Sequence, residues 1–89
     1  MSVVSRVATV ISETSAAVVE IEDTVFPGLN EAYKRANEVV ATIESLLGTD
    51  SPTFKKALDG TAKMNKAQVQ LDNARRTLRE AIKAFQEVK

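Results

Sequence analysis

The 89-residue sequence predicts an all-α single domain (1–89), an antiparallel helical hairpin whose first arm is broken near Pro27 and which completes a four-helix bundle with a partner. Three observations carry this reading. Apolar residues recur every seven positions on both sides of mid-chain, the stretch "ESLLGTDSPTF" (44–54) gathers helix-stopping and helix-starting residues, and the last helix is too long for a compact three-helix bundle.

Counting in sevens from Ala57 gives Met64, Leu71, Leu78 and Phe85, and three residues after each come Gly60, Ala67, Ala74, Ala81 and Val88. This heptad predicts one helix over 52–88, with a row of small residues that lets a neighbouring helix approach closely. Gly60 inside it costs about 1 kcal/mol relative to alanine, little beside the burial of Met64, Leu71, Leu78 and Phe85. The N-terminal segment has its own heptad, Val4, Ile11, Val18 and Val25 with Val7, Thr14 and Ile21, which predicts a helix over 3–24. A further set, Leu29, Ala36 and Ile43 with Ala32, Val39 and Leu46, flanked by Tyr33, Val40 and Leu47, predicts a helix over 28–47.

Between these two lies Phe26-Pro27-Gly28. Proline has no N–H to donate and restricts the residue before it, and the apolar stripe changes phase there, so the backbone is expected to leave ideal helix at 26–28. At the other junction Gly48 can end a helix, Asp50 or Ser51 can cap the next, and Pro52 suits its first position. Leu46, Gly48 and Pro52 therefore mark the hairpin turn.

Lengths select the architecture. At about 1.5 Å per residue the three helices measure about 33, 30 and 55 Å. The long seam from Ala57 to Val88 is covered only if the two shorter helices lie nearly end to end. A turn near residue 50 then places Leu71 opposite Gly28, Leu78 opposite Ile21 and Phe85 near Thr14.

Composition narrows the function. Cysteine, histidine and tryptophan are absent, which removes disulfides, the usual zinc and haem ligands, thiol nucleophiles and the commonest general base. The expectation is a non-enzymatic protein with no catalytic, cofactor-binding or metal-binding residues. No apolar run approaches the roughly 18–20 residues that span a bilayer, and "VATVI" (7–11) is too short for a leader's apolar core. The expected location is the cytoplasm, or export without a cleaved leader. Net charge is zero, yet residues 1–50 carry three bases against eight acids, a net of −5, and residues 51–89 carry nine bases against four acids, a net of +5. Pairing between the two arms is the simplest account of this split. The basic run Arg75, Arg76, Arg79 and Lys83 is the one feature favouring a nucleic acid, and no aromatic residues accompany it for stacking.

A hairpin buries one stripe on each arm, and this chain has more apolar surface than that. Val3, Val10 and Ala17 form a further row, with Ala16, Val19 and Phe26 near it. On the last helix Phe54, Leu58, Ala62, Val69 and Ile82 lie outside the chosen rows. Two accounts compete: a wide stripe around a three-helix monomeric core, or a second interface for a homo- or hetero-dimer built on Val3, Val10, Ala17, Val19, Phe26, Phe54, Leu58 and Val69.

In length, hairpin pattern and mid-chain turn the sequence resembles the small helical-hairpin proteins of type VII secretion systems, whose two helices meet at a Trp-x-Gly turn. Leu46-Leu47-Gly48 occupies that place as Leu-x-Gly. The family's export signal, Tyr or Phe followed four residues later by an acid, has its nearest counterpart in Phe85 and Lys89, where the charge is reversed. The resemblance implies an adaptor that packs its helices against a secreted protein such as a larger effector, without a membrane span or nucleic acid. "TDSP" (49–52) equally resembles the turn of type III secretion needle subunits, also helical hairpins. A three-helix cytoplasmic binding protein is the third alternative.

Overall fold

The computed structural model describes residues 2–88. It is an antiparallel helical hairpin. The first arm comprises α1 (Val3–Glu20), a π-helical turn (Ile21–Val25) and α2 (Phe26–Leu47), which continue one another, and the second arm is α3 (Pro52–Gln86). The outline measures 63 × 17 × 17 Å. Its radius of gyration, 19.5 Å, compares with about 12 Å for a compact domain of this length. The continuous first arm excludes the three-helix bundle.

Each helix end has a local cause. The Ser2 hydroxyl accepts the Ser5 N–H at 3.2 Å and starts α1. Gly48 stops α2 with φ +80°, a conformation that penalises any residue with a Cβ, while its N–H donates to the Glu44 carbonyl at 2.9 Å. Ser51 then caps α3 by accepting from the N–H groups of Thr53 and Phe54, and Pro52 takes the first helical position. Helix α3 passes Gly60 without interruption and ends at Gln86, two residues before the expected boundary.

The departure from α-geometry lies just before the proline, not on it. Phe26 is itself helical (φ −60°, ψ −49°), and its N–H donates to the carbonyl of Ile21, five residues back. Proline in a regular helix clashes with the carbonyl four residues earlier, and widening the preceding turn relieves that clash. Pro27 is the second residue of α2, and because the arm is continuous the N–H it lacks leaves one gap in the backbone ladder at this point.

The π turn also corrects the register. A π turn takes up one extra residue, and the seam shows where it went. Ile11, Val18, Phe26, Tyr33 and Val40 all turn toward α3, with steps of seven except for the eight from Val18 to Phe26. In the companion row, Thr14, Ile21, Leu29, Ala36 and Ile43, the eight falls between Ile21 and Leu29. Val25, expected in the seam, is turned outward, and Phe26, expected outside it, takes the place.

On α3 the seam departs from expectation in part: Ala67 and Ala81 of the small-residue row are half-buried, but Phe85, expected in the seam, is exposed. Beside Ala57, Met64, Leu71 and Leu78, the second inward row is Phe54, Thr61, Gln68, Arg75 and Ile82, four residues on. Gly60 and Ala74 are exposed. The polar members of the true row are accommodated individually: the Thr61 hydroxyl donates to the Ala57 carbonyl at 2.7 Å, and Arg75 is held by carboxylates. Burial is thin throughout. Among the described residues only Val18 and Thr61 fall in the buried class, and the accessible surface of 6501 Å² exceeds the roughly 5,100 Å² expected of a compact monomer of 9.7 kDa.

The extra residue yields a direct test. Deleting Thr24 together with Pro27→Ala should convert the arm into an unbroken heptad helix whose thermal midpoint matches or exceeds the parent's. Deleting Arg35, also exposed but inside a regular helix, should lower the midpoint by roughly 10 °C or more. Circular dichroism melts compare the two, and equal losses would deny the extra residue any role in register.

Candidate interaction surface

With the seam fixed, the two flanks of the hairpin can be assigned from the 100° advance per residue. In an antiparallel pair, equivalent sides of the two helices lie together. Glu22, to one side of the first-arm seam, reaches Arg75 and Arg79 of α3, which identifies the polar flank. It also fixes a register in which Leu78 lies across from Ile21.

The polar flank is centred on a charged cluster beside the π turn. Arg75 donates to Glu22 at 3.5 Å and to Asp72 at 3.0 Å, Arg76 contacts Asp72 at 3.0 Å, and Arg79 pairs with the other oxygen of Glu22. Glu22, Asp72 and Arg75 are each about a third exposed or less. Three of the four cations of the basic run are therefore engaged by carboxylates of the same chain. Two shallow open grooves lie on this flank, one among Ser15, Val18, Val19, Arg79 and Ile82, the other among Glu22, Phe26, Pro27, Asn30 and Gln68. No group of three or more potential metal-ligating side chains occurs among the described residues. Interarm pairing is much sparser than the opposed charges suggested: among the described residues Glu22 is the one first-arm acid that bridges to α3, and Lys63, whose pKa is raised by its hydrogen bond to Asp59, pairs within its own helix.

The opposite flank carries no charge. Along the first arm it presents Val3, Val10 and Ala17, then, after the eight-residue step across the π turn, Val25, Ala32, Val39 and Leu46. All seven are apolar and all are exposed, the five larger ones from 38% at Val10 to 76% at Leu46. Beside this row α3 offers Thr53, Gly60, Ala67, Ala74 and Ala81, so a helix laid here would meet little obstructing side chain.

The sequence-derived interface residues divide among three places. Val3, Val10 and Ala17 lie on the uncharged flank. Val19, Leu58 and Val69 are exposed on the polar side, about 160° around the helix from Ala17 in the case of Val19. Phe26 and Phe54 are half-buried in the seam. Val25, Ala32, Val39 and Leu46 were not read as part of the Val3 row; the step of eight was the signal that joins them to it. In the turn, Leu46 is exposed, Gly48 makes the positive-φ stop and Pro52 begins α3.

The class so defined is a thin, extended helical hairpin with one uncharged flank. No helix among the described residues is long and apolar enough to cross a membrane. No family model matches the chain, and neither does any curated protein or solved structure.

The Glu22 cluster makes its own prediction. Glu22→Ala should lower stability to urea by about 1 kcal/mol at low ionic strength, with the difference narrowing in 1 M salt. An unchanged low-salt midpoint would mean that the interarm pair contributes nothing.

Proposed function

We propose that this protein is a non-enzymatic association module that works by laying its uncharged flank against the helices of another protein. The observation that carries this is the pairing of a long, exposed apolar row with an almost absent core. A hairpin that buries so little is marginal by itself, and helices that face a bundle core characteristically add a third apolar row to the two of a coiled-coil seam. The chain has that third row, and within the hairpin nothing covers it.

More specifically, we propose a partner or adaptor role in a type VII secretion system. The support is the 89-residue length, the hairpin fold and the Leu46-Leu47-Gly48 turn joining its two arms. In this role the protein has no catalytic step. It contributes apolar surface and a complementary shape to a complex with a secreted protein.

Burying one valine side chain contributes on the order of 1.5–3 kcal/mol relative to leaving it exposed, so several along the flank can offset much of the freedom lost on association. Val10→Asp should therefore dissociate the complex, and Glu13→Asp, on the exposed face, should leave it intact. Sedimentation equilibrium of both variants and the parent, alone and with the products of neighbouring genes, measures this. A parent that remains monomeric at high concentration and binds none of those products would refute the association reading.

A further inference from the structure

We infer that the open end of the hairpin, where the first arm outruns α3, is a self-complementary joint: two copies meet there end to end, each laying its projecting segment into the step beyond the other's α3. This contact is separate from the association proposed above and leaves the flank from Ala17 to Leu46 free.

The step follows from the lengths of the arms. The first arm has 45 helical residues and α3 has 35. In the register where Leu78 lies across from Ile21, α3 ends at Gln86 across from about residue 13, so α1 projects by about ten residues, or about 15 Å. Val4 and Val7, seven residues before Ile11 and Thr14, carry both seam rows into this projection, but the helix they would face has ended. Exposed apolar side chains gather around the step. Of the twelve large ones exposed among the described residues, five (Val3, Val4, Val10, Phe85 and Val88) stand at this one end.

What fits the step is an apolar helix of about ten residues running antiparallel to α1, and the projecting segment of a second copy is such a helix. About a twofold axis, Val4 lies beside the other copy's Ile11, Val7 beside its own counterpart, and the tip of each α1 reaches the other copy's Phe85 and Val88. Charge fits as well. Residues 1–12 hold no acid and a single base, Arg6, which comes level to within about one turn with Glu87 of the other copy, just past the end of α3. Symmetry makes two such pairs. Each α3 C-terminus also meets the N-terminus of the other copy's α1, so helix ends of opposite partial charge adjoin. The projection, about 15 Å long on a hairpin 17 Å wide, outlines on the order of 250 Å² per copy. That is well short of the roughly 800 Å² per partner of a standard interface, so the joint forms and parts with concentration.

The chain has no cysteine, so spin labels can be placed singly at Thr9→Cys, on the side of α1 away from the seam, and, in a separate chain, at Thr49→Cys in the turn. Both positions are exposed. At high protein concentration, dipolar electron resonance should show coupling at Thr9 at less than roughly 40 Å, the span of adjacent helices at 8–10 Å spacing plus the label arms. It should show none at Thr49, because two 63 Å hairpins overlapping by about 15 Å set their turns roughly 110 Å apart. Val4→Asp, at a position 67% exposed, should abolish the Thr9 coupling without loss of helicity by circular dichroism, and Val39→Asp, on the flank, should keep it. No coupling at Thr9, or coupling at Thr49 as well, would overturn the joint. So would a Thr9 coupling that survives Val4→Asp and is lost with Val39→Asp. Binding of neighbouring gene products by the Val39→Asp chain tests the flank by itself, so the joint and the association reading can fail independently.

Discussion

The hydrogen bond from the Phe26 N–H to the Ile21 carbonyl closes the one irregular turn of a 45-residue arm, and the register of both its apolar faces depends on that turn. Upstream, the seam is set by Ile11 and Val18; downstream, by Tyr33 and Val40. The two halves are one residue out of phase. In an uninterrupted α-helix one residue amounts to a 100° rotation, which would swing half of the seam away from α3 and half of the outer row off its flank. Absorbing one residue in a π turn removes that rotation for every row at once. Pro27 supplies a local reason for the turn to be there, and Glu22 within it supplies the tie to Arg75 and Arg79 across the hairpin.

The same geometry explains why the molecule is poor in core and rich in surface. Two helices side by side can bury only the line between them. Here that line is itself mixed, since Thr61, Gln68 and Arg75 interrupt the apolar seam of α3. A partly exposed ion-pair cluster at mid-length adds little net stability but disfavours other registers, because sliding one arm would part Glu22 from both Arg75 and Arg79. The uncharged flank then stands as the largest reserve of unburied apolar surface. Its location on the side away from the charged cluster gives the hairpin two distinct faces, one solvated and one suited to other helices.

The hairpin, its turn and the approximate register were legible in the sequence because heptad spacing, Gly48, Ser51 and Pro52 act locally and point the same way. Two features were not. Proline's reputation as a helix breaker drew the irregularity to Phe26–Gly28, whereas the strain is relieved in the turn before it, at Ile21–Val25. On α3 the choice between the rows three and four residues after Ala57 favoured the small residues, because threonine, glutamine and arginine look unfit for a seam. The structure satisfies Thr61 through its own backbone and Arg75 through Asp72 and Glu22, and single-residue patterns do not register such pairings. Of the outer row, Val3, Val10 and Ala17 were found and the continuation was lost at the proline. Allowing one step of eight recovers Val25, Ala32, Val39 and Leu46.

The most direct test of this account is the through-hydrogen-bond scalar coupling of the Phe26 amide nitrogen, measured by NMR on isotope-labelled protein. The coupling should run to the carbonyl carbon of Ile21, five residues back. A coupling to the carbonyl of Glu22, four residues back, would mean a regular α-helix at this point. The two halves of the arm would then be out of phase, and neither the seam nor the uncharged flank could run its full length.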